Sequence, residues 1–281
     1  VRTSWGSATD RGTVREVNED AVLTYPPVFM VADGMGGHDA GDLASRIAVE
    51  EFAQLAGQSQ PTGDDVRDCF DRTSTRIRAE FTHGRQGGTT VAGVALTHDE
   101  GGSFWLVFNI GDSRVYRWTA RGLEQVSVDH SVVQELVDAG VLTREEADRH
   151  PERHVLTRAL GTDGLPEPDY WLLPAGQGDR LMLCTDGLTR ELGAGDIAAT
   201  LGSRADPQAA AVALVDEALA RGARDNVTVV VIDVVPSSGE TSLADAFDDE
   251  HPTVSRGSGH RWDEMVDGAT VPRQVPQDGA R

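Results

Sequence analysis

The chain of 281 residues is 39% hydrophobic and has a formal net charge of −21, from 46 acidic residues against 25 basic ones, every basic residue being arginine. So acidic a surface repels nucleic acid and anionic lipid, and excludes both as expected partners. No apolar stretch approaches the roughly 20 residues that span a bilayer, so no membrane insertion is expected. The opening VRTSWGSATDRG lacks the apolar core of a signal peptide. Two cysteines, Cys69 and Cys184, are too few for a disulfide scaffold of this size and predict a reducing, cytoplasmic setting.

In chain order, AVLTY (21–25) and VFMVA (28–32), joined across Pro26 and Pro27, read as a β-hairpin. Helical spacing follows twice: Ala44, Ile47, Ala48, Phe52 and Leu55, then, after a cap-like Asp64, Val66, Phe70, Ile77 and Phe81. Four β-like runs (88–97, 103–113, 114–118 and 123–127), separated by polar turns, predict an antiparallel meander. Residues 130–160 read as a helical excursion with a capping-box pattern at Thr143 and Glu146. A polar insertion between strands often carries function. Strands resume at 170–174 and 180–186. Asp206 and Pro207 then open a helix that runs to Gly222, and the β-branched run 227–235 is a natural last strand.

This order is α+β rather than strict βαβ alternation, and it predicts a β-sandwich of two antiparallel sheets flanked by α-helices over residues 1–235. The last 46 residues, 236–281, hold nine acids and four arginines without sustained periodicity. They read as an acidic, mostly disordered tail, in which Trp262, Met265 and Val266 fall at helical spacing.

Four acids share one setting, an apolar strand abutting an acid and a turn: Asp33 after VFMVA, Asp112 after WLVFNIG, Asp186 after LMLCT, and Asp225 before VTVVVI. Singly, such an aspartate is most often a turn former or helix cap. Four together at the edge of a core call for a counter-charge, and a divalent metal is a stronger one than arginine. Oxygen donors without His-x-His or Cys-x-x-Cys spacing favour Mg²⁺ or Mn²⁺ over Zn²⁺. In VADGMGGHDAG (31–41) the glycines let the backbone turn sharply and bring a main-chain carbonyl, most simply that of Gly34, within reach of such an ion. Upstream, RGTVREVNED (11–20) sets Arg15 beside Glu19 and Asp20. An arginine among acids either grips two phosphate oxygens or forms a surface ion pair.

Taken in order, VREVNED, VADGMGGHDAG, QGGTTV (86–91), NIGDSRVY (109–116), LTRALG (156–161), LCTDGL (183–188) and RDNVTVVV (224–231) resemble the metal-dependent Ser/Thr protein phosphatases of type 2C, the PPM family, in its bacterial form. The resemblance implies a β-sandwich with a dinuclear Mn²⁺ or Mg²⁺ centre at one end. Asp33 would bridge both ions, the Gly34 carbonyl would bind the second, and Asp186 and Asp225 would complete the first. Asp112 with Asp186 would hold a third, looser ion. Glu19 and Asp20 would act mainly through coordinated waters, and Arg15 would orient the phosphoryl group.

The implied reaction is hydrolysis of phosphoserine and phosphothreonine on proteins, a cognate Ser/Thr kinase among them, by direct attack of a metal-bridging hydroxide. Where animal members carry a histidine two residues after the bridging aspartate, this chain has Met35. His38 is then the nearest substitute as a catalytic group, and the 130–160 excursion corresponds to the family's flap, with His154 on it. Two other readings stay open. One is a non-catalytic domain that binds phosphoproteins. The other is a cysteine-dependent phosphatase, since CTDGLTR (184–190) fits Cys-x₅-Arg, although Asp186 would set a like charge beside both the thiolate and the phosphate.

Overall fold

The computed structural model describes residues 1–36, 40–81, 86–99, 101–162 and 164–235, together with the backbone of 253–256. Its strands are β1 (Arg2–Asp10), β2 (Asp20–Tyr25), β3 (Val28–Gly36), β4 (Gly87–Thr89), β5 (Val91–Asp99), β6 (Gly102–Ile110), β7 (Arg114–Thr119), β8 (Gly122–Gln125), β9 (Asp169–Pro174), β10 (Arg180–Cys184), β11 (Val227–Val235) and β12 (Thr253–Arg256). The helices are α1 (Ala40–Phe52), α2 (Gly63–Glu80), α3 (Val132–Asp138), α4 (Arg144–Ala147), α5 (Asp186–Thr189), α6 (Ala194–Ser203) and α7 (Pro207–Ala220). Two antiparallel sheets result, one in the order β1-β11-β10-β7-β8 and one in the order β12-β9-β6-β5-β3-β2, with β4 added to β3.

Side-chain alternation explains the layers. In β3, Phe29 and Val31 enter the core between the sheets, whereas Val28, Met30 and Ala32 pack beneath α1 and α2. In β11, Val230, Ile232 and Val234 face inward, while Val227, Val229 and Val231 face α7. Both faces of the central strands are therefore apolar, which is why VFMVA and VTVVVI read as unbroken runs. Phe29 and Met30, fully buried on opposite faces of β3, each contribute roughly 1.5–3 kcal/mol of transfer free energy. The order helix, sheet, sheet, helix follows, as the sequence predicts.

Two expectations need correction, and two elements were missed. The four β-like runs do not form one meander: β5 and β6 pair in one sheet, β7 and β8 in the other, and the chain crosses over at Gly111–Ser113. The cap of α2 is Thr62, not Asp64. Its Oγ1 accepts from Asp65 N–H at 3.2 Å, and the Asp65 carboxylate accepts from Thr62 N–H at 2.8 Å. Strand β1 and helix α6 were not among the predicted elements. Other boundaries agree: Asp206 caps α7 with Pro207 in its first turn, Thr143 and Glu146 form the capping box of α4, and β11 spans 227–235. Within the expected tail, β12 pairs with β9 at the sheet edge. The helical spacing of Trp262, Met265 and Val266, like His38, lies outside the described residues.

Candidate active site

Antiparallel topology brings five acids to one end of the sandwich. Asp20 begins β2, Asp33 lies near the end of β3, Asp112 occupies the crossover from β6 to β7, Asp186 opens α5 two residues after β10, and Asp225 precedes β11. Asp20 and Asp33 are directly opposed in the β2–β3 register. Two carboxylates about 5 Å apart at an effective dielectric of about 20 repel by roughly 3 kcal/mol. Protonation or positive charge between them relieves that repulsion.

The protonation equilibria record the same crowding. Burial pushes the Asp20 carboxyl up to about 7, although Oδ2 accepts from Thr228 Oγ1 at 2.7 Å and Thr185 Oγ1 at 2.9 Å. Its Oδ1 is buried with no protein partner. Burial, then repulsion from Asp20, Asp186, Asp112 and Asp225, holds Asp33 well above the carboxylate range. Asp112 is pushed up to about 7 by burial and by Asp186, and Asp186 rises by burial against the pull of Arg190. Asp225 is the exception: burial raises it, but Arg15 and Arg190 more than compensate and its pKa is lowered.

The surrounding chain is shaped to hold these acids in place. A Cβ on Gly34 would lie 2.2 Å from the carbonyl oxygen of Gly41 and 2.6 Å from that of Glu19, so no other residue fits the loop. Thr89 and Thr90 clamp the peptide of Asp33. Thr90 N–H and Thr89 Oγ1 donate to its carbonyl at 2.9 and 3.0 Å, and Asp33 N–H donates to Thr90 Oγ1 at 3.1 Å. Asn226 ties down the 11–20 segment, accepting from Glu19 N–H at 2.8 Å and donating to the carbonyls of Arg11 and Val17 at 3.0 and 3.1 Å. The buried His130 accepts from Gly111 N–H at 3.1 Å through Nδ1, which leaves Nε2–H to donate to Asp169 at 3.2 Å. That pair braces the turn carrying Asp112. Asn226, Thr90, His130 and Asp169 were not singled out from the sequence.

Arginines supply the positive charge on this side of the molecule. Arg15 pairs with Asp225 through Nε at 2.7 Å and Nη2 at 3.0 Å. Arg190 spans Asp186 and Asp225, with Nη1 2.6 Å from Asp225 Oδ2 and Nη2 bonded to Asp186 Oδ2. On the flap, His154 is exposed yet within electrostatic reach of the site. Partial burial, then Arg190 and Arg153, lower its pKa.

Among the described residues no three or more His, Cys, Asp or Glu side chains close tightly enough to cage one ion unaided. The donor set is wider than a cage. Its oxygen-only chemistry suits hard divalent cations. The orphaned Asp20 Oδ1 and the raised carboxyl groups fit such ions.

Cys184 belongs to the other face of β10. It is fully buried against α6 and α7, and burial pushes its thiol up to about 12. That removes the cysteine-dependent reading, because the thiolate is the nucleophile. A cavity of about 340 Å³ opens elsewhere, lined by Trp118, Asp179, Arg180, Arg204 and Asp233. Its Arg180 is spent on Asp233 and on the carbonyls of Leu201, Arg204 and Ala205, so it holds no comparable chemistry.

Comparison with known proteins agrees with this geometry. A family profile, Protein phosphatase 2C, matches residues 13–224. The serine/threonine phosphatase Stp of Listeria monocytogenes is 31% identical over 239 residues, covering 80% of this chain and 93% of that protein. The PPM Ser-Thr phosphatase MsPP of Mycobacterium smegmatis, solved with cacodylate, is 39% identical with a TM-score of 0.75, covering 82% of this chain and 98% of that one. The catalytic domain of the phosphatase PstP, solved with two manganese ions, is 32% identical with a TM-score of 0.72, covering 83% and 99%. The chain belongs to the protein phosphatase 2C family, among its bacterial serine/threonine phosphatases.

Proposed function

We propose that the chain hydrolyses phosphoserine and phosphothreonine on proteins with Mn²⁺ or Mg²⁺ held by Asp33, the Gly34 carbonyl, Asp186 and Asp225. Asp112 with Asp186 offers a third, weaker position. The observation that carries this reading is the opposition of Asp20 and Asp33 on one rung of the β2–β3 ladder, with Asp186 and Asp225 beside them. When bound, such ions acidify a coordinated water and offset charge on the phosphoryl oxygens. Likeness to a phosphatase solved with two manganese ions supports the same stoichiometry.

The chain's own residues do the positioning. Arg15 is half exposed, and its pairing with Asp225 engages two of five N–H groups, leaving three to meet a phosphoryl group from solvent. Asp20, anchored by Thr185 and Thr228, would offer its unpartnered Oδ1 to such an ion through a coordinated water. On the flap, partial burial, then Arg190 and Arg153, lower the His154 pKa and favour its neutral imidazole. A cognate Ser/Thr kinase is a natural substrate of such an enzyme.

The test is hydrolysis of a phosphothreonine peptide by the metal-stripped protein. Activity is expected on adding Mn²⁺ or Mg²⁺, with loss on chelation and in Asp186→Asn. Turnover that persists in Asp186→Asn or in excess chelator would overturn the assignment.

A further inference from the structure

Arg190 occupies a position that the proposed ligand set leaves unexplained. It follows α5, four residues after Asp186, and its main-chain N–H donates to the Asp186 carbonyl at 2.9 Å. This backbone bond aims the side chain back over the acids. One guanidinium nitrogen meets Asp186 Oδ2 and another meets Asp225 Oδ2 at 2.6 Å. Asp112 and Asp33 also lie within its electrostatic reach. With Arg15 bonded to both oxygens of Asp225, the order along the site is Asp186, Arg190, Asp225, Arg15, alternating in sign.

We propose that Arg190 is a built-in counter-cation that competes with the divalent ion for Asp186 and Asp225. It neutralises the two carboxylates in the metal-free protein and must swing away before an ion can use both. Two physical arguments support this. A guanidinium between two carboxylates uses the lone pairs an ion would take, and its charge repels a dication at the same place. The side chain is also free to leave, being one-third exposed at the end of a one-turn helix. The proximal bridge thus sets the cation concentration at which the site fills, by linkage: what stabilises the metal-free form weakens ion binding by the same factor.

This inference rests on the assignment of Asp186 and Asp225 as ion ligands. The experiment is Mn²⁺ titration calorimetry on metal-stripped wild type, Arg190→Gln, Arg190→Lys and Asp186→Asn, with thermal melts of each in EDTA. Arg190→Gln is expected to bind Mn²⁺ at least tenfold more tightly and to melt lower than wild type in EDTA. Arg190→Lys, which keeps the charge but not the two-pronged bridge, is expected to fall between them and guards against a folding defect in the glutamine variant. Unchanged or weaker Mn²⁺ binding in both Arg190 variants overturns the proposal while leaving the ligand assignment standing. Absence of Mn²⁺ binding by wild type, or binding undiminished in Asp186→Asn, overturns the assignment and the inference together.

Discussion

Asp20 and Asp33 share one rung of the β2–β3 ladder, yet they are held by different partners: the side chain of Asp20 by Thr185 and Thr228, the main chain of Asp33 by Thr89 and Thr90. The clamped Asp33 keeps its carboxylate within electrostatic reach of Asp20 and Asp186. Asp33→Asn keeps the shape and removes the charge. Phosphopeptide hydrolysis is expected to fall roughly 10³-fold, about 4 kcal/mol of barrier. The same variant is expected to melt higher than wild type in EDTA, because the amide relieves repulsion. Kinetics and melts of one preparation check both.

Stability of the metal-free protein is expected to depend on pH. Asp20 and Asp112 are pushed from an ordinary 3.8 up to about 7, so the folded form binds their protons more tightly than the unfolded chain does. Their contribution is complete below about pH 4 and is lost as pH rises through 7. Asp225 and Glu51 shift the other way, but their window lies below their ordinary values, in acid. Between pH 5 and 8 the melting temperature in EDTA is expected to fall, and saturating Mn²⁺ to abolish the fall. Scanning calorimetry under both conditions reads this directly.

Asn226 makes three bonds to the segment that carries Arg15. Asn226→Ala leaves one main-chain donor and two acceptors to find water, a loss of about 2–4 kcal/mol in a partly buried setting. With its anchor gone Arg15 is less well placed, and KM for a phosphopeptide is expected to rise more than kcat falls. Asn226→Asp, which keeps the acceptor for Glu19 N–H and loses both donors, is expected to be intermediate. Urea denaturation and steady-state kinetics measure the two effects.

Cys184→Ser puts a hydroxyl into an apolar layer and is expected to lower stability by about 1–3 kcal/mol, while kcat at saturating Mn²⁺ stays within about twofold of wild type, a barrier change under about 0.5 kcal/mol. Iodoacetamide on the native protein is expected to leave activity intact. Loss of turnover in the folded variant would revive a thiol mechanism.

Strand-end acids were readable because a β-branched run ending in Asp and glycine leaves few alternatives to a charged rim. The sandwich was readable from period and order, since both faces of β3 and β11 are apolar. What escaped the sequence has physical causes. Two hairpins and a four-strand meander share one alternation pattern, so the crossover at Gly111–Ser113 is invisible until the sheets are seen. That crossover depends on Gly111 at φ +105°, where a Cβ would meet Thr90 Cγ2 at 2.5 Å. Strand β1 has a largely half-exposed pattern at a sheet edge and carries little hydrophobic signal. Thr185, Thr228, Asn226 and the His130–Asp169 pair act over long sequence separations, and their residue types are common in ordinary turns and strands. Thr62 was missed because Asp64 and Asp65 follow it with equally good capping chemistry.

The acids divide between the two halves of the molecule: Asp20 and Asp33 belong to strands of one sheet, while Asp186 and Asp225 adjoin strands of the other. Any ion that takes oxygens from both groups is a rivet through the open end of the sandwich. Chelation is therefore expected to unfasten that rim, and amide exchange near β2 and β10 to register ion occupancy even when no substrate is present.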